Sequence, residues 1–290
     1  PLATYLACKA LHSLWLARSG VQPLPVWVQP WLWMSVTIAS LITATAALLE
    51  LNGGLLPLTY DYHLYKIDAA FGGVARWAAQ WVGREKTEFL GAVTHSVYDI
   101  LGFLFFPLLA LLIGENKVRS LHAWRALFVP YLVAALCYLW LPATGPGNAI
   151  MGYPATAAVP QELAAAMVSV IPAPRNAMPS LHVSSALWIL MMCAALRRKW
   201  IFALSVLFAL GTAWATLAIG EHYLIDLVVA LPFATALGLL LMNPPRWKVA
   251  PRWQHGLQWA AAGTFVLWML MLRLAPEWLQ GHLAFVRFLA

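Results

Sequence analysis

The chain contains 290 residues, of which 62% are hydrophobic and only 10% are Asp, Glu, Lys or Arg. A soluble domain usually carries about a quarter charged residues, so this composition excludes an ordinary cytosolic protein, and its apolar content excludes a disordered chain. The net charge of +7 lies in short basic clusters between apolar runs. That distribution is typical of membrane loops and argues against a nucleic-acid partner. We therefore expect an all-α, polytopic membrane protein.

Apolar runs of roughly 20 residues, the length of a helix that crosses a bilayer, predict seven membrane spans. The runs lie at about 31–51, 93–114, 124–142, 181–196, 200–219, 223–242 and 256–274. The first six predict a helical bundle over about 31–242, and the seventh is an additional C-terminal span. We expect a single integral membrane domain over 1–290. Because the chain begins at Pro1 and not at Met, we also expect its natural N-terminus to be missing or processed.

Three segments outside the spans have patterns of their own. Residues 52–90 predict an amphipathic helix on the outer membrane surface. The apolar residues that recur there at helical spacing are Leu64, Ile67, Phe71 and Val74. Residues 143–180 contain prolines at 146, 154, 160, 172, 174 and 179. So many helix breakers favour an irregular re-entrant or surface loop. The aromatic tail from residue 276 onward is predicted to be interfacial.

The basic loops also predict an orientation. Lys and Arg are concentrated before the first span and in the connections around 117–125, 197–199 and 246–252. Loops rich in these residues stay in the cytoplasm. The connection at 143–180 and the short turn around His222 are therefore expected on the outer face. The chain has no Asn-x-Ser/Thr sequon, which agrees with a bacterial inner membrane.

Two polar segments interrupt the apolar background. Residues 174–182, PRNAMPSLH, precede the fourth span, and residues 220–226, GEHYLID, precede the sixth. On a helix, His222 and Asp226 share one face and can form a hydrogen bond. A carboxylate bonded to one imidazole nitrogen fixes the tautomer and leaves the other nitrogen as a nucleophile or base. Ionisable residues at membrane depth are costly, which makes these segments candidates for function.

The Pro-Ser-Leu-His sequence at 179–182, followed by His-x3-Asp at 222–226, resembles the motifs of the type 2 phosphatidic acid phosphatase (PAP2) superfamily. Leu181 stands where the common motif has Gly. Together with YLWLPATGPG at 138–147, it makes the chain most similar to the inositol phosphorylceramide synthase-like branch. The resemblance covers roughly 31–242. It implies a six-helix membrane bundle acting on a lipid phosphate or diphosphate.

The resemblance also implies roles for three residues. His222 would be the nucleophile that takes the phosphoryl group as phosphohistidine, and Asp226 would orient and polarise it. His182 would protonate the leaving oxygen and then activate the acceptor. Such a positioned general acid typically contributes about 10²–10⁴-fold to the rate.

Phosphoryl transfer further needs positive charge and hydrogen-bond donors around the phosphate oxygens. Arg175 is the only cation in its motif loop. We expect it to bind phosphate together with Ser180, with Gly145 in a turn that lines the site; Arg175 as an interfacial anchor is the alternative. Candidate headgroup contacts in the second span are His95, Tyr98 and Asp99. A purely structural network is equally compatible with them.

Two cations that are usual in this superfamily are missing. The Lys-x6-Arg-Pro motif is absent, and Ala215 and Thr216 occupy the positions that often hold Ser-Arg before the third-motif His. Both losses also occur in the synthase-like branches. The substitutes that residues 52–90 offer are Lys66, Arg76, Arg84 and Lys86.

These observations predict an enzyme that hydrolyses a lipid phosphate at the outer leaflet, with its site facing the periplasm. The first alternative is a phosphotransferase that moves a phospho-headgroup to an alcohol. The second is a lipid transporter without catalysis, which would need no nucleophile. A metal held by the two histidines and Asp226 is possible in principle, but the resemblance implies no metal and no cofactor. Membrane lipids are the expected partners, and no obligate protein partner is indicated.

Overall fold

The structure is a computed structural model, and every regular element in its described residues is a helix. The described residues are 36, 40, 43–44, 47–49, 51–56, 58–84, 88–114, 120–150, 152–155, 173–196, 198–242 and 251–290. The helices are α1 (Asp61–Asp68), α2 (Val74–Arg84), α3 (Glu88–Gly114), α4 (Ser120–Trp140), α5 (Pro146–Ala149), α6 (Leu181–Ala195), α7 (Lys199–Ala218), α8 (Leu224–Met242), α9 (Pro251–Leu274), α10 (Pro276–Gly281) and α11 (Leu283–Leu289). A 3-10 turn over Ala69–Phe71 follows α1.

The chain divides into two compact units, residues 1–46 and residues 47–290, and α1 to α11 all belong to the second. The single domain over 1–290 stays a prediction. The predicted span at 31–51 lies largely outside the described residues. The later predicted spans coincide with the helices α3, α4, α6, α7, α8 and α9, which confirms that these segments are helical.

Three helical stretches are long and apolar enough to cross a membrane, namely Lys199–Ala218, Leu224–Leu241 and Trp253–Leu274. Phe128–Trp140 and Leu181–Ala194 are apolar but shorter. A helix needs roughly 20 apolar residues to span the hydrocarbon core, so these lengths identify an integral membrane protein. The predicted bundle of six spans stays a prediction.

Helix α8 lies at the centre of the packing, against α4, α6 and α9. Trp188 of α6 is buried and donates its indole N–H to the carbonyl of Ala234 on α8 at 2.9 Å. Phe233 packs beside Trp188 on one side and Phe265 of α9 on the other. These contacts lock α6 and α8 together, and both helices begin at the polar motifs.

Helix α1 differs from the predicted surface helix. Leu64 and Ile67 are buried as expected, but they lie in the protein core, and Asp61 and Asp68 are buried beside them. The apolar side of this part of 52–90 therefore packs on protein, and its location at the membrane surface stays a prediction. The apolar face of this helix also contains both carboxylates, because Asp61, Leu64 and Asp68 lie at positions i, i+3 and i+7.

The amphipathic pattern is confirmed further along, in α2. Ala75 and Ala78 are buried against α7, whereas Trp77 and Trp81 on the other face are exposed. Both tryptophan rings contact Trp214 of α7 edge-on. This half of the 52–90 segment therefore carries the exposed aromatic surface.

The C-terminal tail is only partly interfacial in character. Trp278, Phe285 and Phe288 are exposed, as expected, but Leu279 and Val286 are fully buried in the core cluster that holds Leu64 and Ile67. The last two helices, α10 and α11, contact α1 and its 3-10 turn. The tail therefore holds α1 in place from one side.

The described parts of the loop at 143–180 are mostly irregular, as predicted. The structure adds the short helix α5 and a turn at 152–155. Residues 173–180 then run without helical structure into the first turn of α6. The C-terminal end of the predicted loop thus leads into α6 and lies close to the start of α8.

Candidate active site

The two polar motifs meet in the structure. Ala177, three residues before Ser180, places its carbonyl 3.0 Å from Nδ1 of His222. The amide of Ser180 donates to the carbonyl of Asp226 at 3.5 Å. The rings of His182 and His222 have their centroids 6.1 Å apart. The three predicted catalytic residues are therefore brought together.

The chain folds this way locally because α8 begins with a side-chain cap. Asp226 Oδ2 accepts the backbone N–H of Tyr223 at 2.9 Å, as an acidic residue in the first helical turn does in a capping box. The amides of Glu221 and His222 donate to the carbonyl of Thr216 at 3.2 and 3.3 Å. His222 is thus held between the end of α7 and the first turn of α8.

The hydrogen bonds of His222 define its tautomer. Nδ1 lies 3.0 Å from the Ala177 carbonyl and 3.3 Å from Asp226 Oδ2. Since a carbonyl oxygen can only accept, Nδ1 carries the proton, and in the neutral ring the lone pair is on Nε2. His222 is buried, so this geometry is fixed by protein groups and not by solvent. Nε2 is therefore the nitrogen that could act as a nucleophile.

Burial also sets the charge of His222. It lowers the pKa of His222 to about 4, although the charge of Glu221 and the hydrogen bond to Ala177 both act to raise it. The pKa of Glu221 is raised by its own burial, which His222 and His95 partly offset. At neutral pH His222 is uncharged, the form that a nucleophile requires.

His182 lies in the first turn of α6 and is half-buried. The ring of Tyr98 stacks on it with centroids 3.8 Å apart and an angle of 21° between the planes. Tyr98 therefore contacts the candidate general acid, and its contact with a substrate headgroup stays a prediction. The other two candidate headgroup residues, His95 and Asp99, lie on the same helix and are exposed.

The predicted phosphate ligands have structural contacts of their own. Arg175 is 2% exposed and donates to the carbonyls of Leu56 at 3.3 Å and Ala173 at 2.7 Å. Ser180 is the N-cap of α6, and its side-chain oxygen accepts the amide of Val183 at 3.3 Å. These bonds explain the placement of both residues, and binding of phosphate by either stays a prediction.

Gly145 lies in a turn beside the residues that precede His222, and phosphate binding at this turn stays a prediction. Its N–H donates to Asp61 Oδ1 at 3.1 Å, so this amide is engaged inside the protein and not by a phosphate. Its φ is +87°, and a Cβ atom would lie 2.1 Å from the carbonyl oxygen of Glu221. The next glycine, Gly147, donates to the Gly220 carbonyl at 2.7 Å. The glycines therefore let this turn approach the residues just before His222.

The missing family cations are not restored at their usual positions. Ala215 and Thr216 are fully buried, and the Thr216 hydroxyl donates to the Ala213 carbonyl. Of the suggested substitutes, Lys66 lies over the ring of Tyr62, and Arg76 donates to the Pro154 carbonyl. The side chains of Arg84 and Lys86 lie outside the part of the chain that the structure describes.

Two residues of the site were missed by sequence reasoning. Asp61 accepts hydrogen bonds from the Thr144–Gly145 turn and from the hydroxyl of Tyr223. Asp68 accepts the backbone N–H of Ile225, in the first turn of α8. The spacing of the two carboxylates on the apolar stripe of α1 was a signal of burial, because charged residues within such a stripe face the core.

In the described ranges, no group of three or more His, Cys, Asp and Glu side chains is placed to hold a metal ion. The absence of a metal and of a cofactor stays a prediction. Comparison with known proteins finds a match to the PAP2 superfamily over residues 62–240. No curated protein and no solved structure matches the chain.

Proposed function

Because the chain belongs to the PAP2 superfamily, we propose that it hydrolyses a lipid phosphate or diphosphate through a phosphohistidine formed on His222. Phosphatases and related phosphotransferases make up this superfamily, so the match supports an enzyme that acts on phosphate substrates. The observation that carries the phosphohistidine proposal is the pair of hydrogen bonds that His222 Nδ1 makes to Ala177 and Asp226. These bonds direct Nε2 away from both partners.

In the first step, His222 Nε2 attacks the phosphorus atom and the bond from phosphorus to the leaving oxygen breaks. His182, as imidazolium, gives its proton to that oxygen, so the lipid leaves as an alcohol or a lower phosphate. An anionic phosphate beside His182 favours its protonated form. Asp226 stabilises the positive charge that develops on the His222 ring.

In the second step, neutral His182 takes a proton from water as the water oxygen attacks phosphorus. The bond from Nε2 to phosphorus breaks, inorganic phosphate leaves, and His222 returns to its neutral form. His182 ends the cycle protonated, ready for the next substrate. An alcohol can replace water in this step, and it then leaves as a phosphomonoester. If the substrate is a phosphodiester lipid, His222 carries the phospho-headgroup, and its transfer to the alcohol gives a new phosphodiester.

Headgroup transfer is the second candidate function, and the low positive charge of the site supports it. The positions that hold family cations carry buried Ala215 and Thr216. Arg175 is engaged by backbone carbonyls. Less positive charge around the phosphate favours substrates with fewer negative charges, such as a phosphodiester headgroup, over a phosphomonoester dianion.

The test is a panel of lipid phosphates, diphosphates and phosphodiesters supplied to purified protein in detergent with EDTA. We expect inorganic phosphate to appear, and an acid-labile phosphoryl label to appear on the native protein but not on His222→Ala. A strict need for a divalent ion would contradict attack by histidine. Absence of any product over the whole panel would favour the transporter.

Competition separates the two enzymatic candidates. Inositol, glycerol or a ceramide is added, and hydrolysis is compared with transfer for each donor. A lipid phosphate gives inorganic phosphate by hydrolysis and a phosphomonoester of the alcohol by transfer, whereas a phosphodiester lipid gives a headgroup phosphate by hydrolysis and a new phosphodiester by transfer. Diversion of product into the transfer product, with no hydrolysis in the absence of acceptor, would identify a transferase. Phosphate release at an unchanged rate in the presence of every acceptor would leave hydrolysis as the activity.

We further propose that the site faces the outside of a bacterial inner membrane, because the basic loops lie at the opposite ends of the spans. In a chain whose three cysteines are replaced, an impermeant thiol reagent should label Asn148→Cys in intact cells. It should label Arg198→Cys only after the membrane is opened. The reverse pattern would place the site in the cytoplasm.

A further inference from the structure

Asp61 is a buried carboxylate that the proposed chemistry does not use. It is fully buried in α1. It accepts the amide of Thr144 at 3.0 Å, the hydroxyl of Thr144 at 3.1 Å, the amide of Gly145 at 3.1 Å and the hydroxyl of Tyr223 at 3.0 Å. The side chain of Thr59, two residues earlier, also hydrogen-bonds it. A carboxylate offers about four acceptor sites, so these donors fill its capacity. Burial raises the pKa of Asp61, and the donors oppose that rise.

The donors come from both sides of His222. Tyr223 directly follows the nucleophile. The Thr144–Gly145 turn packs on the residues that precede it, because Gly147 donates to the Gly220 carbonyl at 2.7 Å and Gly145 closely approaches Glu221. Asp61 therefore fixes, through two separate contacts, the backbone on either side of His222.

Asp68 provides a second attachment from the same helix. It lies seven residues after Asp61, and its Oδ1 accepts the amide of Ile225 at 3.0 Å. This bond satisfies one of the free N–H groups in the first turn of α8, as an N-cap does. Two carboxylates two helical turns apart thus hold the segment from Tyr223 to Ile225.

Helix α1 is itself anchored from the C-terminal side. Gln280 of α10 hydrogen-bonds His63 at 2.6 Å, and Arg287 of α11 donates to the Ala70 carbonyl. Leu279 is fully buried in the same core cluster. A helix held in this way can transmit its own position to the residues it bonds.

We propose that Asp61 is a positioning residue of the active site, which holds His222 in its reactive geometry through Tyr223 and through the Thr144–Gly145 turn. This inference rests on the proposed function. Asp61 does not touch the reacting atoms. Its contribution is to keep Nε2 in line with phosphorus, and a displacement of about 1 Å in such a site can cost about 10²-fold in rate.

The obvious variant, Asp61→Asn, replaces one acceptor oxygen by an amide NH₂ group. That group would face other hydrogen-bond donors, so the variant can fail to fold. Tyr223→Phe is the sharper test, because it removes one hydroxyl and leaves the other donors of Asp61 in place. We expect kcat to fall about 10-fold with KM within about twofold of native, since positioning acts in the transition state and not in substrate binding. Tyr62→Phe, on the same helix but outside this network, is the matched control and should have native kcat.

A double variant gives a second measurement if Asp61→Asn folds. The losses of kcat in Asp61→Asn and Tyr223→Phe should be less than additive in the double variant, because both act on one contact. Native kcat in Tyr223→Phe, or a rise in KM alone, would overturn the inference. His222→Ala is assayed in parallel: if it remains active, the proposed function has failed, whereas an inactive His222→Ala beside a native Tyr223→Phe removes only the role of Asp61.

Discussion

Asp226 and Asp61 are both fully buried carboxylates near His222, but they obtain their hydrogen bonds in different ways. Asp226 bonds the amide of Tyr223 and the ring of His222, three and four positions before it. Asp61 has one local partner, the side chain of Thr59, and its other partners are 83, 84 and 162 positions away. In the proposed mechanism the first carboxylate acts on the reacting histidine itself, and the second holds distant segments of the backbone around that histidine.

The largest effect expected from this comparison is at the local residue. His222→Ala should lower kcat by at least about 10⁴-fold, because no other group can take its place as nucleophile. The protein should still fold, since His222 lies at a helix entrance. Initial rates on the best lipid phosphate and the melting temperature in detergent measure both.

His255→Ala is the control for that variant, because His255 is exposed on α9, far along the chain from both motifs. It should be fully active. If the melting temperature of His222→Ala fell so far that unfolding explained its whole loss of activity, His222 would act mainly in folding. The contrast between local and distant residues would then disappear.

Much of the fold could be predicted from the sequence because the membrane sets the length of its helices. Apolar runs located α6, α7 and α8 to within one residue of their observed ends, since a span must be about 20 residues long. The local pair of His222 and Asp226 could be predicted for a related reason. Their spacing places them on one helix face whatever the rest of the chain does.

The role of Asp61 could not be predicted in the same way. Besides the nearby hydroxyl of Thr59, its donors are two backbone amides and two hydroxyls from distant segments, and sequence patterns do not show which amides will be left without helical partners. The same limit applies to Gly145, which was expected in a turn that lines the site and whose amide donates to Asp61. Only the burial of Asp61 had a sequence signal, in its place on the apolar stripe of α1.

The second prediction tests the turn that joins the two regions. Gly145→Ala adds a Cβ atom 2.1 Å from the carbonyl oxygen of Glu221, at a φ of +87°. Backbone strain and overpacking together should destabilise the protein by about 2–5 kcal/mol. This corresponds to a fall in melting temperature of about 5–15 °C, with loss of activity in the remaining folded protein.

Gly91→Ala is the matched control, because no atom lies within 4 Å of the added Cβ and Gly91 lies inside α3. Alanine is the better helix former, so the melting temperature should stay unchanged or rise slightly. Equal effects of the two substitutions would show that the turn does not press on Glu221. The link from Asp61 to His222 through Gly145 would then be lost.

The smallest expected effect is on the pH profile, and it tests the local region alone. Burial lowers the pKa of His222 to about 4 from the ordinary 6.5. Because the folded-state pKa is below the unfolded one, the stabilisation from neutral His222 is complete above 6.5 and is lost as the pH falls towards about 4. An exposed histidine would be about nine-tenths protonated at about pH 5.5. We therefore expect kcat at that pH to stay within about twofold of its neutral value.

Glu221→Gln distinguishes the enzyme from its substrate in this measurement. The charge of Glu221 raises the pKa of His222, so its removal should move the acid limb of kcat to lower pH. The second ionisation of a phosphomonoester, near pH 6, is the same for both proteins and cancels in their difference. An acid limb near 6.5 in the native protein and the variant alike would mean that His222 is solvated when substrate is bound. The closed, neutral imidazole that the bonds to Ala177 and Asp226 create would then not be the reacting form.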